Sequence, residues 1–345
     1  MRLSAMRLSA MRLSAMRLST LRLASILVVA ALVAVPATVR PQPPVPASSA
    51  SAVKSPYSGT TLEGMIPPGN NFDIAQFRLW FPDEVPTLRG IVLLVPGSNG
   101  DGRASAQDTV WQAFAVRHKL ALVACFFKDK QHDQNFIEDY IRVADGSGEA
   151  LLTAITDFAQ KSGHAELSTA PMLLWGMSAG GQFNYEFVAW KPERVIAFVV
   201  NKGGIYYSAL LPRAARSVPG VLFVGGKDLE FRTNTIVGLF AVNRRAGALW
   251  ALSEEPGAAH IVGRSRDLAI PFFEDVMAVR LPASTGPLKP MPEKPAFIGD
   301  FKTKSFAPAA AGAAPAFPTA WLPTERIAQA WQAILTEQSF PPNPQ

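Results

Sequence analysis

The chain has one cysteine, Cys125, and four histidines among its 345 residues. One cysteine excludes an internal disulfide, and export does not demand one in a chain long enough to bury a large core. Cys125 stands in the apolar run Leu120 to Phe127, which predicts a buried structural thiol rather than a nucleophile. So few cysteines and histidines form no metal-ligand cluster, and no cofactor is implied. Long hydrophobic runs are scarce too. The stretch Ile26–Val35 has ten apolar residues, against the roughly 20 that span a bilayer. Excess charge is also missing once the N-terminus is set aside. The formal net charge is +6, but residues 1–37 hold five arginines and no acid, which leaves +1 for the remainder. The basic balance of the whole chain therefore gives no sign of a nucleic-acid partner.

What is present begins with a repeat. MRLSA occurs three times in tandem, then MRLST, then Leu21-Arg22-Leu23-Ala24-Ser25 and the apolar stretch. A basic start, a short apolar run and small residues after it form the pattern of a secretory signal peptide over 1–37. Val35 and Ala37 fit the −3 and −1 positions of a cleavage site after Ala37. An uncleaved anchor is the alternative. A start at Met16 already gives a signal of ordinary length, which makes the upstream copies superfluous, and their five-residue period matches no heptad. The expected location is secreted or periplasmic, with no membrane span after cleavage. Residues 38–55, rich in Pro, Ala and Ser, read as a flexible linker.

Beyond the linker, apolar runs alternate with helical spacing. Strands are predicted at Phe72–Trp80, Gly90–Val95, Leu120–Phe127, Met172–Trp175, Val195–Val200, Val221–Val224 and Ala248–Leu252. Helices are predicted over 105–118, 148–161, 207–216 and 234–245. Continuous apolar strands between helices predict an α/β architecture, a mostly parallel sheet covered on both faces, over residues 56–280. Residues 281–323, rich in Pro and Ala, read as a long loop or disordered segment. Thr324 is a candidate cap for a final helix with Ile327, Trp331, Ile334 and Leu335 on one face, which docks on the main domain.

The richest segment is Gly176-Met177-Ser178-Ala179-Gly180-Gly181, between a predicted strand and a helical pattern. In a G-x-S-x-G turn the chain reverses so sharply that the flanking residues must lack a Cβ, and the serine hydroxyl is left exposed. Ser178 is thus a candidate nucleophile. Serine needs a base to take its proton, and the base needs an acid to orient it. Asp228 follows the strand 221–224, with Glu230 as a second choice. His260 follows the strand 248–252 in a loop of small residues. His118, His132 and His164 all precede the serine, against the order Ser, Asp, His. Backbone N–H groups for a developing oxyanion are expected from Ala179 and from the loop Pro96–Gly102, with Ser98 the first choice and Asn99 the second. That loop lacks the lysine and Ser/Thr of a phosphate-binding loop.

On these residues, together with Val95-Pro96-Gly97-Ser98-Asn99-Gly100 and Pro192-Glu193-Arg194-Val195, the chain resembles the α/β-hydrolase superfamily over roughly 60–280. It is similar to secreted serine esterases related to polyhydroxybutyrate depolymerases and feruloyl esterases. The resemblance implies a triad of Ser178, Asp228 and His260, an oxyanion hole from Ser98 and Ala179, and a small-molecule or polymeric ester as substrate. Many relatives carry His-Gly where this chain has Pro96-Gly97, which blurs the subfamily. The short stretch from Gly204 to Val221 leaves no room for a large cap domain. A serine peptidase, an acyltransferase and a non-catalytic binding protein on the same scaffold remain as alternatives.

Overall fold

The computed structural model describes residues 55–133, 137–282, 286–309 and 317–339. The expected signal peptide, and all of the linker except Ser55, lie outside the described residues. In chain order the elements are β1 (Gly59–Ile66), β2 (Ile74–Pro82), β3 (Gly90–Val95), α1 (Thr109–His118), β4 (Leu120–Lys128) and α2 (Ser147–Ser162). There follow β5 (Met172–Met177), α3 (Ala179–Trp190), β6 (Val195–Asn201), α4 (Arg213–Arg216), β7 (Gly220–Gly225), α5 (Glu230–Arg245) and β8 (Trp250–Glu255). The last elements are α6 (Ser265–Arg280), β9 (Phe297–Asp300), β10 (Ser305–Pro308), β11 (Ala320–Leu322) and α7 (Glu325–Leu335).

Eight strands form one sheet in the order β1-β2-β4-β3-β5-β6-β7-β8. The β1/β2 and β2/β4 pairs are antiparallel, and every pair from β4 to β8 is parallel. Side chains alternate across a strand, and here both sides are dry. Ile91, Leu93 and Val95 of β3 pack with Leu151 and Phe158 of α2, Phe183 of α3 and Phe240 of α5. Val92 and Leu94 face the opposite way, into a core with Trp111 of α1, Phe272 of α6 and Trp331 of α7. Burial on both faces is why the parallel strands read as unbroken apolar runs. The expected mostly parallel sheet with helices on both faces is what the chain forms.

Several boundaries differ from expectation. Only Arg213–Arg216 of the predicted helix 207–216 is helical. The Glu186 carboxylate accepts the N–H groups of Tyr207 and Ser208 at 2.8 and 3.1 Å, which holds that stretch as a loop. The expected loop over 281–323 contains the strands β9, β10 and β11, which make a small antiparallel sheet in the order β10-β9-β11. Helix α7 lies on the face lined by α6: Trp331 is fully buried and its indole N–H donates to the Leu252 carbonyl of β8 at 2.6 Å. The Thr324 hydroxyl accepts the Ile327 N–H at 3.2 Å and caps that helix. Among the described residues no helix is long and apolar enough to cross a membrane.

Candidate active site

Strand β5 lies between β3 and β6. Its carboxyl end turns directly into α3, and Ser178 occupies the turn with φ 57° and ψ −124°. A non-glycine residue held there stores about 1–3 kcal/mol of strain, which the surroundings must over-determine. They do so by crowding. A Cβ on Gly176 would run into the Gly180 carbonyl, and one on Gly180 into the Val95 carbonyl of β3. At Gly181 it would stand 3.0 Å from the Asn201 nitrogen of β6. The Ser178 N–H donates to the Asn201 carbonyl at 2.8 Å, which fixes the turn to the neighbouring strand.

The other expected residues come from the carboxyl ends of β7 and β8, where open α/β sheets bind ligands. The Asp228 N–H donates to the Gly225 carbonyl at 3.1 Å, so the turn after β7 aims its carboxylate inward. That side chain is 2% exposed. Its Oδ2 meets His260 Nδ1 at 2.7 Å, and His260 Nε2 meets Ser178 Oγ at 2.9 Å. The Leu229 N–H and the Arg232 guanidinium donate to Asp228 Oδ1 at 2.7 and 3.2 Å. Burial raises the Asp228 carboxyl, but the bonds from His260, Leu229 and Arg232 together outweigh it and hold the group below the ordinary carboxylate value. Glu230, the second choice, opens α5 and carries a bond from Asn234 at 3.4 Å instead. The other histidines pair elsewhere: His118 with Glu274, His132 with Asp129 and His164 with Glu166.

The two backbone donors expected for an oxyanion are those of Ala179 and Ser98. Ala179 opens α3, so its N–H has no acceptor within the helix and stands at the positive end of the helix dipole. The loop after β3 passes beside the serine: a Cβ on Gly97 would lie 3.6 Å from Ser178 Cβ. Within that loop the Asn99 N–H is taken by the Tyr140 hydroxyl at 3.2 Å, and the Asn99 side chain accepts the Asp129 N–H at 2.7 Å. That commits Asn99 to holding the loop and leaves Ser98 next to the site. Cys125 is fully buried in the core, and burial pushes its thiol up.

Ser178 and His260 open into a cavity of about 470 Å³, bounded by Ser98 and Gly100, by Met177 and Gln182, and by Ile205, Phe231 and Arg232. Glu138, nine-tenths buried, also lines it. Sequence reasoning had not marked Glu138, Gln182 or Arg232. No motif carries them, and only the fold brings them to the serine. A second cavity of similar size lies at the amino ends of the strands, between Leu88, Arg89, Pro171 and Leu281. None of the expected site residues lines it.

The strand order, the sharp turn between β5 and α3 and the segment from Asn201 to Gly220, which holds only α4, make this an α/β-hydrolase fold without a large cap. No known protein-family profile matches the chain, and no curated protein does. Solved structures with a similar fold include a ferulic acid esterase, 10% identical with a TM-score of 0.47 over 64% of this chain and 99% of that one. Another is the poly(3-hydroxybutyrate) depolymerase LpqC of Bordetella parapertussis, 18% identical with a TM-score of 0.46 over 66% of this chain and 92% of that one.

Proposed function

We propose that the chain is an exported serine hydrolase that cleaves carboxylic esters through an acyl-enzyme on Ser178. The observation that carries the reading is the continuous hydrogen-bonded series from Asp228 through His260 to Ser178, 2.7 and 2.9 Å long, at the mouth of a cavity. His260 takes the Ser178 proton as the oxygen attacks the ester carbonyl. Asp228 holds the ring in the tautomer with Nδ1–H and stabilises the imidazolium that forms. The Ala179 and Ser98 N–H groups receive the oxyanion. His260 then gives its proton to the departing alkoxide, which leaves as the alcohol. A water, deprotonated by His260, attacks the acyl-enzyme and releases the acid and the free serine. The residues invoked need no metal or cofactor for these steps.

The loops around the cavity carry exposed apolar side chains, of which Phe231 lines the cavity itself. Leu229 and Phe231 beside Asp228, Ile261 and Val262 beside His260, and Tyr207 and Leu210 in the loop after β6 are all exposed large hydrophobic side chains. Exposed apolar side chains on these loops, and the absence of a large cap between Asn201 and Gly220, support bulky or polymeric esters as substrates. Export rests on the leader pattern of residues 16–37.

A fluorophosphonate probe tests the chemistry. Residues 38–345 become labelled on Ser178, and Ser178→Ala abolishes both labelling and hydrolysis of p-nitrophenyl esters. Equal labelling of the variant would overturn the reading.

A further inference from the structure

At the carboxyl end of β6, the dipeptide Asn201-Lys202, its last residue and the next, is buried among the three loops that carry Ser178, Asp228 and His260. Asn201 and Lys202 are both 0% exposed. The Lys202 ammonium donates to Glu255 Oε1 at 2.6 Å and to Asn201 Oδ1 at 3.1 Å. Glu255 ends β8, and its other oxygen accepts the Arg264 N–H at 2.7 Å. That bond closes the loop on which His260 sits, because Glu255 and Arg264 stand on either side of it. The closure is tight: Gly263, at φ 58°, is packed so closely on the Glu255 carboxylate that a Cβ there would strike it.

Asn201 grips the same loop from the other side. Its Nδ2 donates to the Val262 carbonyl and to the Ser265 hydroxyl, each at 3.0 Å. Its carbonyl meanwhile accepts the Ser178 N–H at 2.8 Å. The acid turn is indexed to this place as well. The Lys202 side chain passes under Gly225, whose Cβ would lie 3.1 Å from Lys202 Cε, and the Gly225 carbonyl holds the Asp228 N–H. A fully buried lysine is costly without a partner. Nothing in the hydrolytic chemistry uses this one, and a well-packed apolar pair would serve stability at least as well.

We infer that Asn201, Lys202 and Glu255 form a positioning unit that sets His260 relative to Ser178. The inference rests on the proposed serine-hydrolase reading. None of the three touches the reacting atoms; each acts through the backbone of a loop that carries one that does. Because a misplacement of about 1 Å costs up to roughly 100-fold in rate, loss of the unit lowers kcat rather than substrate binding.

The test compares Lys202→Met, Glu255→Gln and the paired variant, assayed with p-nitrophenyl butyrate, with fluorophosphonate and by thermal melting. The singles leave a buried group unpaired and lower both Tm and kcat. The pair removes both charges, and Gln keeps an acceptor for the Arg264 N–H, so Tm recovers relative to the singles. Its kcat stays about 10-fold or more below the parent protein, with KM within twofold, and Ser178 labelling slows in proportion. A paired variant with full kcat overturns the inference, because the singles then fail through stability alone. Asn201→Ala, which keeps the Lys202–Glu255 ion pair but removes the grip on Val262 and Ser265 and one acceptor of the Lys202 ammonium, decides the matter if the pair does not fold. It lowers kcat several-fold at unchanged KM, and full kcat in that variant equally overturns the inference. If the parent protein itself hydrolyses no ester and its Ser178 is not labelled, the serine-hydrolase reading fails. If only the variants behave as the parent does, that reading stands and the positioning unit falls.

Discussion

At the residue scale the most informative single change is Asp228→Asn. The amide keeps the shape but reverses what it asks of His260 Nδ1, so the ring is held in the wrong tautomer. In an equivalent triad this costs about 10⁴ in kcat, and a loss of roughly that order is expected here with little change in KM. A pH series adds a stability test. The Asp228 carboxyl is held below its ordinary value in the folded chain, so its stabilising contribution is complete above the unfolded value of about 3.9. It disappears as the pH falls through the lower folded value. Melting curves between about pH 5 and pH 2.5 should therefore fall more steeply for the parent protein than for Asp228→Asn. Identical slopes would show that Asp228 does not gain its bonds on folding. The candidate nucleophile, acid and base were legible in the sequence, because each demands a residue type at a recognisable turn and in a fixed order. Asn201, Lys202 and Glu255 were not. Each reads as an ordinary polar residue at a strand end, and their mutual contacts come from the ends of β6 and β8, which lie on either side of β7.

At the scale of elements, two glycines make opposite predictions. Gly176→Ala places a methyl group against the Gly180 carbonyl, within backbone that cannot shift without moving Ser178. It should destabilise by at least about 2 kcal/mol and abolish ester hydrolysis. Gly238 lies on the exposed side of α5 with nothing within 4 Å of where its Cβ would be. Gly238→Ala should stabilise by about 0.5–1 kcal/mol through lost freedom of the unfolded chain, and leave activity unchanged. Thermal melting and the ester assay check both. Element types were legible wherever burial was one-sided or complete. The apolar runs of β3 to β7 announced themselves, and the helix predicted over 105–118 forms as α1 from Thr109, where Asp108 caps it by accepting the N–H groups of Val110 and Trp111. The misses have physical causes. Strand β1 is a sheet edge with exposed Thr60 and Thr61 and two glycines, so little burial marks it. Helix α6 carries Pro271 in its interior, which breaks the expected pattern although Leu268, Phe272 and Val276 are all buried.

For the whole molecule, the open question is what the segment beyond residue 280 does for the fold. It read as loop because its strands are three or four residues long and surrounded by proline, too short for any period to show. Yet Trp321 and Trp331 are among the largest fully buried side chains described. Trp331 packs under Gly299 of β9 and donates to the Leu252 carbonyl of β8, so a single side chain joins the small sheet, α7 and the main sheet. Removing a buried tryptophan side chain costs about 3–5 kcal/mol, and here it also leaves the Leu252 carbonyl without that donor. Trp331→Ala should lower the midpoint of one cooperative melting transition by about 10 °C, with loss of esterase activity following the same curve. An appended module with its own stability would behave otherwise. It would melt separately in the variant, while the unit that holds Ser178 kept its original midpoint. Calorimetry of the variant, read beside residual activity after heating, distinguishes the two outcomes. A single lowered transition is the result that the burial of Trp331 requires.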